Sequence, residues 1–183
     1  AVVNSDEFKA TLEHARNVEH VDYEAVAHLK LAALKAVFDV YDAKYLRKST
    51  KQNKAFKAFV EAGGESLDML AVYDALQSHL KAEGKDSWGW PVFPQEYKDY
   101  YNPAVAKFKS ANEQDVKFYM FLQWIAAQQL ELASNKATDA GMTIGLYRDL
   151  AVGVSEGSAE IWGNKDLYCT GASVGAPPDI LGP

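Results

Sequence analysis

The residues that could do chemistry concentrate in the last 43 residues of this 183-residue chain, which also hold eight of its twelve glycines. Two Gly-x-Ser-x-Gly stretches occur there, at residues 153–157 and 171–175, and this pattern marks the nucleophile turn of some hydrolases. In that fold the histidine base follows the serine, whereas all four histidines of this chain lie upstream, the last at position 79. We attribute both matches to the high glycine content.

Carboxylates form the second group of candidates. Most acids of the tail are typical of surface or capping positions. Asp149 differs, because it ends a short apolar segment that glycines flank, as expected of a buried strand. The carboxyl ends of parallel strands are where barrel and open-sheet enzymes gather their catalytic groups. Asp149 is therefore the first candidate site residue.

Composition and spacing exclude several other functions. No histidine lies three to five residues from another, and the single cysteine, Cys169, has no Cys or His near it, so no metal site is predicted. The lone cysteine also excludes an internal disulfide and fits a reducing, cytoplasmic compartment. A net charge of −6 without a Lys/Arg cluster argues against nucleic acid, and no apolar run is long enough to span a membrane.

Hydrophobic periodicity predicts a mainly α fold for the first 140 residues. Helices are expected at about 4–17, 22–46, 56–62, 67–83 and 113–140, with Gly63-Gly64 between the third and fourth and Gly141 capping the last. Residues 85–103 form a connection rich in aromatic side chains. One strand is predicted at 143–149, directly after the last helix, and a weaker candidate lies at 1–3.

A single strand leaves its backbone N–H and C=O groups unpaired on both sides. The simplest explanation is that its sheet partners lie outside this sequence, and we expect the chain to be an internal fragment of a larger protein. An unpaired strand can also pair with the same strand of a second copy, which offers a route to self-association.

The aromatic connection at residues 88–101 allows two interpretations. Sugar rings stack well on indole faces, so the cluster could contact a carbohydrate. The alternative is that the rings hold the connection in place by burying their large apolar area. The structural interpretation is favoured, because no set of polar residues that would orient a ligand is visible beside the rings.

Several stretches of the tail resemble one enzyme family. Residues 144–154, 158–162, 166–168 and 175–179 are similar to the 4-α-glucanotransferases, also called amylomaltases or disproportionating enzymes, of the α-amylase clan. Residues 21–24, 29–30 and 121–124 carry weaker matches to the same family. The tail looks closest to the bacterial form used in maltodextrin utilisation.

The resemblance implies a (β/α)₈ barrel with inserted subdomains and a retaining double displacement on α-1,4-glucans. The nucleophile, the acid/base Glu and a further Asp would lie on later barrel strands, so this chain would hold no catalytic residue and be inactive alone. Asp149 matches the family's Asp at the end of the third barrel strand. Asp179 matches the Pro-Pro-Asp that opens a mobile loop beside the sugar subsites. The reaction would need no metal and no cofactor.

The same resemblance divides the chain into two parts. Residues 1–111 would form a helical subdomain with the aromatic loop, and residues 112–183 a barrel helix, the third barrel strand and a glycine-rich insertion of an incomplete barrel. The parent would be a cytoplasmic enzyme with maltodextrins and glucose as donor and acceptor.

Two alternatives stay open. A non-enzymatic helical interaction module would need a disordered tail, whereas the enzyme needs a strand at 144–148. Another enzyme of the α-amylase clan would arrange the missing catalytic strands differently.

Overall fold

The helix signals of the sequence appear as six α-helices in the computed structural model, which describes residues 2–149, 151 and 153–172. They are α1 (Asp6–Asn17), α2 (Tyr23–Tyr41), α3 (Lys51–Ala82), α4 (Pro103–Ala111), α5 (Glu113–Asp139) and α6 (Ala159–Gly163). The described part of the chain is mainly α and contains no strand. None of the helices within it is both long and apolar enough to cross a membrane.

The chain divides into two compact units, Ala1–Ala62 and Gly63–Pro183. The division falls beside Gly64, whose φ of 50° and ψ of −142° interrupt α3. Glycine adopts a positive φ without the steric penalty of a Cβ, so the predicted helix stop at this position is present as a kink. The predicted subdomain boundary at 111/112 concerns a different division and stays a prediction.

Side-chain caps start α1 and α2 in the first unit. Ser5 accepts a hydrogen bond from the backbone N–H of Phe8 at 3.2 Å, one residue later than the cap expected at position 4. Asp22, where the second helix was predicted to begin, accepts from the N–H of Ala25 at 2.9 Å. These bonds satisfy N–H groups that the first turn of a helix leaves without partners.

The helix predicted to run from 22 to 46 changes geometry near its end. It is α-helical to Tyr41 and continues as a π-helical turn over Asp42–Leu46. Asp42 is 1% exposed, and its carboxylate lies 2.5 Å from Nε of Arg47. The pairing offsets the cost of removing the charge of Asp42 from water.

The core of the second unit forms around the second half of α3, where Val72, Leu76 and Leu80 are completely buried. Their spacing of four residues places them on one face of the helix. The other elements of the unit complete this core with Phe93, Val105, Phe108, Val116 and Trp162.

Helix α4 was missed by the sequence prediction, which had a connection up to residue 103 and a helix from 113. Asn102 caps α4 by accepting from the N–H of Ala104 at 2.9 Å. Pro103 takes the first helical position, where no backbone N–H is needed. An Asn-Pro pair before an amphipathic stretch is a start signal that the sequence did contain.

The strand predicted at 143–149 is wrong for the 183-residue chain, in which these residues form no strand. Gly141, with a φ of 84°, ends α5 as expected, but the residues that follow it are irregular chain. Gly145 has a φ of 72°, which interrupts an extended run, and the described residues offer no neighbouring strand for its backbone groups. The weaker candidate at 1–3 is also wrong, since Val2–Asn4 is a 3₁₀ turn and residue 1 lies outside the described residues.

Helix α5 is buried only in its first half. Val116, Phe121 and Trp124 are buried as expected, whereas Leu130 and Leu132, also expected to face inward, are 44% and 61% exposed. Exposed apolar area is unfavourable in water. The apolar stripe of α5 therefore extends beyond the side chains that cover it in the described part of the chain.

Candidate functional site

Asp149 lies in the irregular segment after α5, and its side chain is exposed. Within the described residues, its carboxylate takes part in no hydrogen bond or ion pair. Asp179, the second candidate from the sequence, lies outside the described residues. The roles assigned to both acids therefore stay predictions.

The segment that carries Asp149 forms one wall of an open groove of about 460 Å³. Ile144, Leu146 and Arg148 line this wall, and the second half of α5 forms the other. Every second residue of the segment faces the groove, the spacing of an extended chain. Ile144 is 84% exposed and Tyr147 is 92% exposed, which marks an uncovered surface rather than an enclosed ligand pocket.

Residues 156–168 are held by the aromatic connection and by α3. The indole Nε1 of Trp90 donates a hydrogen bond to the carbonyl oxygen of Glu156 at 2.6 Å. The hydroxyl of Tyr73, on α3, donates to the carbonyl of Gly157, the next residue. Two ring donors from the helical body thus bind consecutive carbonyls of the tail.

Two side chains of the tail donate hydrogen bonds to the aromatic connection. The indole Nε1 of Trp162 donates to the carbonyl of Tyr97 at 2.8 Å, and the ammonium group of Lys165 donates to the carbonyl of Lys98. We call the four donors, Tyr73, Trp90, Trp162 and Lys165, the carbonyl clamp. Two of these side chains donate to carbonyls of the tail, and two side chains of the tail donate to carbonyls of the connection. The clamp therefore joins the two segments by hydrogen bonds in both directions.

The rings of the clamp are packed as well as hydrogen-bonded. Trp162 is 1% exposed, and its ring meets those of Tyr73 and Tyr100 edge-on, with centroids 5.3 Å and 5.5 Å away. Nζ of Lys165 lies 4.4 Å from the ring centroid of Trp90, and burial lowers the pKa of this lysine. Such contacts add to the area that the rings bury.

Two glycines bring the backbones of the connection and the tail together. A Cβ on Gly89 would lie 2.7 Å from Cα of Gly157 and 2.9 Å from its carbonyl oxygen. A Cβ on Gly157 would lie 2.8 Å from the ring of Trp88. Both distances are too short for a real side chain, so this approach requires glycine on both sides.

An acidic side chain of α3 anchors the other end of the aromatic connection. Oδ2 of Asp68 accepts a hydrogen bond from the hydroxyl of Tyr100 at 2.7 Å, and its Oδ1 lies 2.6 Å from Nζ of Lys109 on α4. Burial, together with the bond to Asp68, raises the pKa of Tyr100. The connection is therefore tied to α3, which the same carboxylate links to α4.

One acid of the second unit titrates close to neutral pH. Burial on α3 raises the pKa of Asp74 to about 6. A shifted pKa is common at functional sites, but Asp74 lies on the core helix, beside the fully buried Ala71 and Val72. We expect it to affect stability against pH rather than catalysis.

A second open cavity, of about 630 Å³, lies between the start of the second half of α3 and α6. Its polar residues include Glu160, which accepts from the hydroxyl of Tyr168 at 3.1 Å, and Asn164, whose Nδ2 lies 3.8 Å from Sδ of Met69. Because these groups already have partners within the chain, the cavity resembles a packing seam.

The described residues contain no group of three or more His, Cys, Asp or Glu arranged to hold a metal ion. Cys169 is exposed, and so is Ser155, the serine of the first Gly-x-Ser-x-Gly stretch. The second stretch extends beyond the described residues.

The carbonyl clamp is the feature that sequence reasoning missed. Phe93 is 2% exposed, in line with a connection that packs by its rings, whereas Trp88 and Tyr101 are 57% and 64% exposed. The clamp bonds of Trp90 and Trp162 join the connection to a tail more than sixty residues away in sequence. The one local sign was Gly89, which stands between Trp88 and Trp90.

Comparisons with known proteins agree on one family. The model of glycoside hydrolase family 77, described as 4-alpha-glucanotransferase, matches residues 1–183. The 4-alpha-glucanotransferase of Haemophilus influenzae is 32% identical over 181 residues, which are 97% of this chain and 26% of that protein. The 4-alpha-glucanotransferase of Mycobacterium tuberculosis H37Rv is 33% identical over 167 residues, 91% of this chain and 21% of that protein.

One family model matches this chain from end to end, and that match places the chain among the glycoside hydrolases of family 77. The chain belongs to the 4-α-glucanotransferase family, as the resemblance predicted. It spans about a quarter of the length of the curated relatives it matches.

Proposed function

We propose that the protein containing this chain is a 4-α-glucanotransferase that transfers α-1,4-glucan segments between maltodextrins. The observation that carries the proposal is the family match over residues 1–183, supported by 32% identity to a named 4-alpha-glucanotransferase over 97% of the chain. In this proposal the transfer is a retaining double displacement by carboxylates, which needs no metal and no cofactor.

The barrel belongs to the proposal. Residues 1–111 would be an inserted helical subdomain, and residues 112–183 a barrel helix, the third barrel strand and part of an insertion. The exposed groove beside α5 supports this assignment, because Ile144 and Leu146 face it without cover. Neighbouring barrel strands would cover these side chains and pair the backbone, turning residues 143–149 into a strand.

Asp149 would then stand at the carboxyl end of a barrel strand, where it supports the site near the donor sugar. The exposure of Asp149 supports the proposal. Within the described residues its carboxylate makes no hydrogen bond or ion pair, as expected if its partners lie on other barrel strands. Asp179 would open a loop beside the subsites. The nucleophile, the acid/base and the third acid would lie outside these 183 residues, so the chain alone would be inactive.

The enzyme would act in the cytoplasm on maltodextrins and glucose, without a nucleic-acid or membrane partner. The single cysteine, exposed and unpaired, supports a reducing compartment.

The alternative, a helical interaction module with a flexible tail, is less well supported. It needs a disordered tail, whereas residues 156–168 are clamped. The enzyme needs a strand at 144–148, and these residues form none in the 183-residue chain. The structure of the tail alone thus favours neither the interaction module nor the enzyme, and the family match favours the enzyme.

The test uses the full-length protein with maltotriose, followed by chromatography for glucose and longer oligomers. We expect transfer by the full-length protein and none by residues 1–183. In the full-length protein, Asp149→Asn should lower kcat on the order of 10²-fold, because positioned groups at the reacting sugar contribute at the transition state.

Asp139→Asn is the matched control, an exposed acid ten residues upstream that should keep wild-type kcat. A full-length protein without transfer would overturn the proposed activity. A folded Asp149→Asn enzyme with wild-type kcat would overturn only the role of Asp149.

A further inference from the structure

We propose that the carbonyl clamp is a positioning device for the transferase site. It fixes the chain just beyond Asp149, so that Trp90 and Trp162 serve the reaction by holding the tail and not by stacking sugar. This inference rests on the proposed function.

The docked tail cannot hold its conformation by itself. Helix α6 has only five residues, Ala159–Gly163, and isolated helices of that length are unstable in water. Ser158 caps it through a long hydrogen bond of 3.4 Å to the N–H of Ile161. The order of residues 156–168 therefore depends on the clamp and on the buried rings of Trp162 and its neighbours.

The position that the clamp defines is narrow. Trp90 and Tyr73 bind the carbonyls of consecutive residues, Glu156 and Gly157, and so hold the backbone at two successive points. The contact of Gly89 with Gly157 leaves no room for even a methyl group. The junction thus accepts a single register of the tail.

Asp149 lies between two fixed points. On one side, Gly141 ends α5 and the N–H of Met142 donates to the carbonyl of Ala137 at 3.1 Å. On the other side, the clamp holds the chain from Glu156 onward. Fixing both ends of the intervening residues restricts the positions that Asp149 can take, and active sites lose rate when a group is misplaced by about 1 Å.

The rings of the clamp are already occupied, which argues against sugar stacking. The face of Trp90 carries the ammonium group of Lys165 at 4.4 Å from the ring centroid, and its N–H is bound to Glu156. Trp162 is 1% exposed. Neither indole offers a free face together with a free N–H for a sugar.

The first part of the test measures hydrogen exchange in the full-length protein, at the amides of Trp162 and Asn164 in α6. Gly89→Ala should speed their exchange at least about tenfold, because its Cβ would collide with backbone atoms that cannot rotate away. Gly153→Ala is the matched control, since its Cβ would meet nothing within 4 Å and exchange should be unchanged.

Trp90→Phe provides a second, milder variant in case Gly89→Ala does not fold. It deletes the N–H that binds Glu156 but keeps a ring beside Lys165, and we expect exchange to rise about fivefold. Tyr101→Phe is its control, because it removes a donor from a ring of the same connection that is 64% exposed and is not a clamp donor.

The second part asks whether the clamp acts through Asp149. We expect Gly89→Ala, or Trp90→Phe, to lower kcat/KM for maltotriose about tenfold in the wild-type background. In the Asp149→Asn background the same change should lower it less than about twofold, because the group to be positioned is gone. A loss of folded enzyme would instead lower both backgrounds equally.

Three results would overturn the inference, each at a different step. Unchanged exchange in both clamp variants would show that the clamp does not hold the tail. Faster exchange with equal losses in both backgrounds would show that the clamp is structural only. A full-length protein without transferase activity would overturn the proposed function and the positioning role with it, and the exchange data would still decide whether the clamp holds the tail.

Discussion

The two halves of the glycine-rich tail differ in how far their apolar side chains are buried. In residues 142–155, Ile144 and Tyr147 are 84% and 92% exposed, and the residues that the structure describes there are irregular chain. In residues 156–168, Ile161 and Trp162 are 6% and 1% exposed, and the backbone is bound from both sides. Both halves combine glycines with large apolar side chains, so composition does not explain the difference.

The difference lies in what each half needs as a partner. In residues 156–168, a short helix and the indole of Trp162 find their partners in side chains and carbonyls of the helical unit. A strand needs the N–H and C=O groups of another strand, and the described residues offer none. A segment can therefore carry the sequence of an ordered element and still depend on a part of the protein outside the chain.

The largest expected effect distinguishes the two halves by stability. Trp162→Ala in the 183-residue chain should lower the free energy of unfolding of the second unit by about 3–5 kcal/mol, because it empties a buried site and removes a hydrogen bond. Ile144→Ala should change it by less than about 0.5 kcal/mol, since the side chain is already in water. Urea unfolding measures both, and equal costs would contradict the comparison.

A smaller effect concerns pH, in the core to which the tail docks. Asp74 has a pKa of about 6 in the folded state against 3.8 ordinarily, so the folded state binds the proton more tightly. Its contribution to stability is therefore fully present below about pH 4 and is lost as the pH rises to about 6. The loss should be on the order of 3 kcal/mol, since one pKa unit corresponds to about 1.4 kcal/mol.

Asp74→Asn should remove that fall, which urea unfolding between pH 4 and 7.5 would show. Asp149→Asn is the control from the exposed half of the tail, and its curve should follow the wild type. Parallel curves for Asp74→Asn and the wild type would show that Asp74 does not titrate in this range.

A still smaller effect tests the packing of α6. A Cβ on Gly163 would lie 1.7 Å from Sδ of Met69, so Gly163→Ala forces that side chain to move. Methionine is flexible and absorbs part of the strain, and the expected cost is about 1 kcal/mol. Gly171→Ala, whose Cβ would meet nothing within 4 Å, should cost less in the same thermal unfolding experiment. The same shift for both variants would mean that α6 is not packed on Met69.

Local signals explain what the sequence predicted well. The apolar periodicity of α2 and α5 and the kink at Gly64 each depend on residues within a few positions of one another. Such features need no knowledge of the rest of the protein.

Long-range contacts explain what the sequence did not predict. The clamp bonds of Tyr73, Trp90 and Trp162 join residues 84, 66 and 65 positions apart, and nothing in either stretch names its partner. The strand at 143–149 failed for the same reason, since its apolar pattern does not say whether a neighbour is present. Among the candidate site residues, Asp149 could be placed on the chain but not beside a reacting group.

The smallest expected change in stability comes from the exposed half of the tail, where Ile144→Ser should alter the unfolding free energy of the 183-residue chain by less than about 0.5 kcal/mol. Self-association through this segment is still a prediction. If residues 142–149 pair with a second copy, Ile144→Ser combined with Tyr147→Ser should shift the chain toward monomer in sedimentation velocity.

In the full-length protein the same Ile144→Ser should be costly, on the order of 2 kcal/mol, because the proposed barrel would bury this side chain. The difference between the stability cost of Ile144→Ser in the 183-residue chain and its cost in the full-length protein therefore measures whether the rest of the protein covers this side chain. A small effect in both would mean that residues 142–149 stay exposed in the whole protein, and the proposed third barrel strand would be wrong.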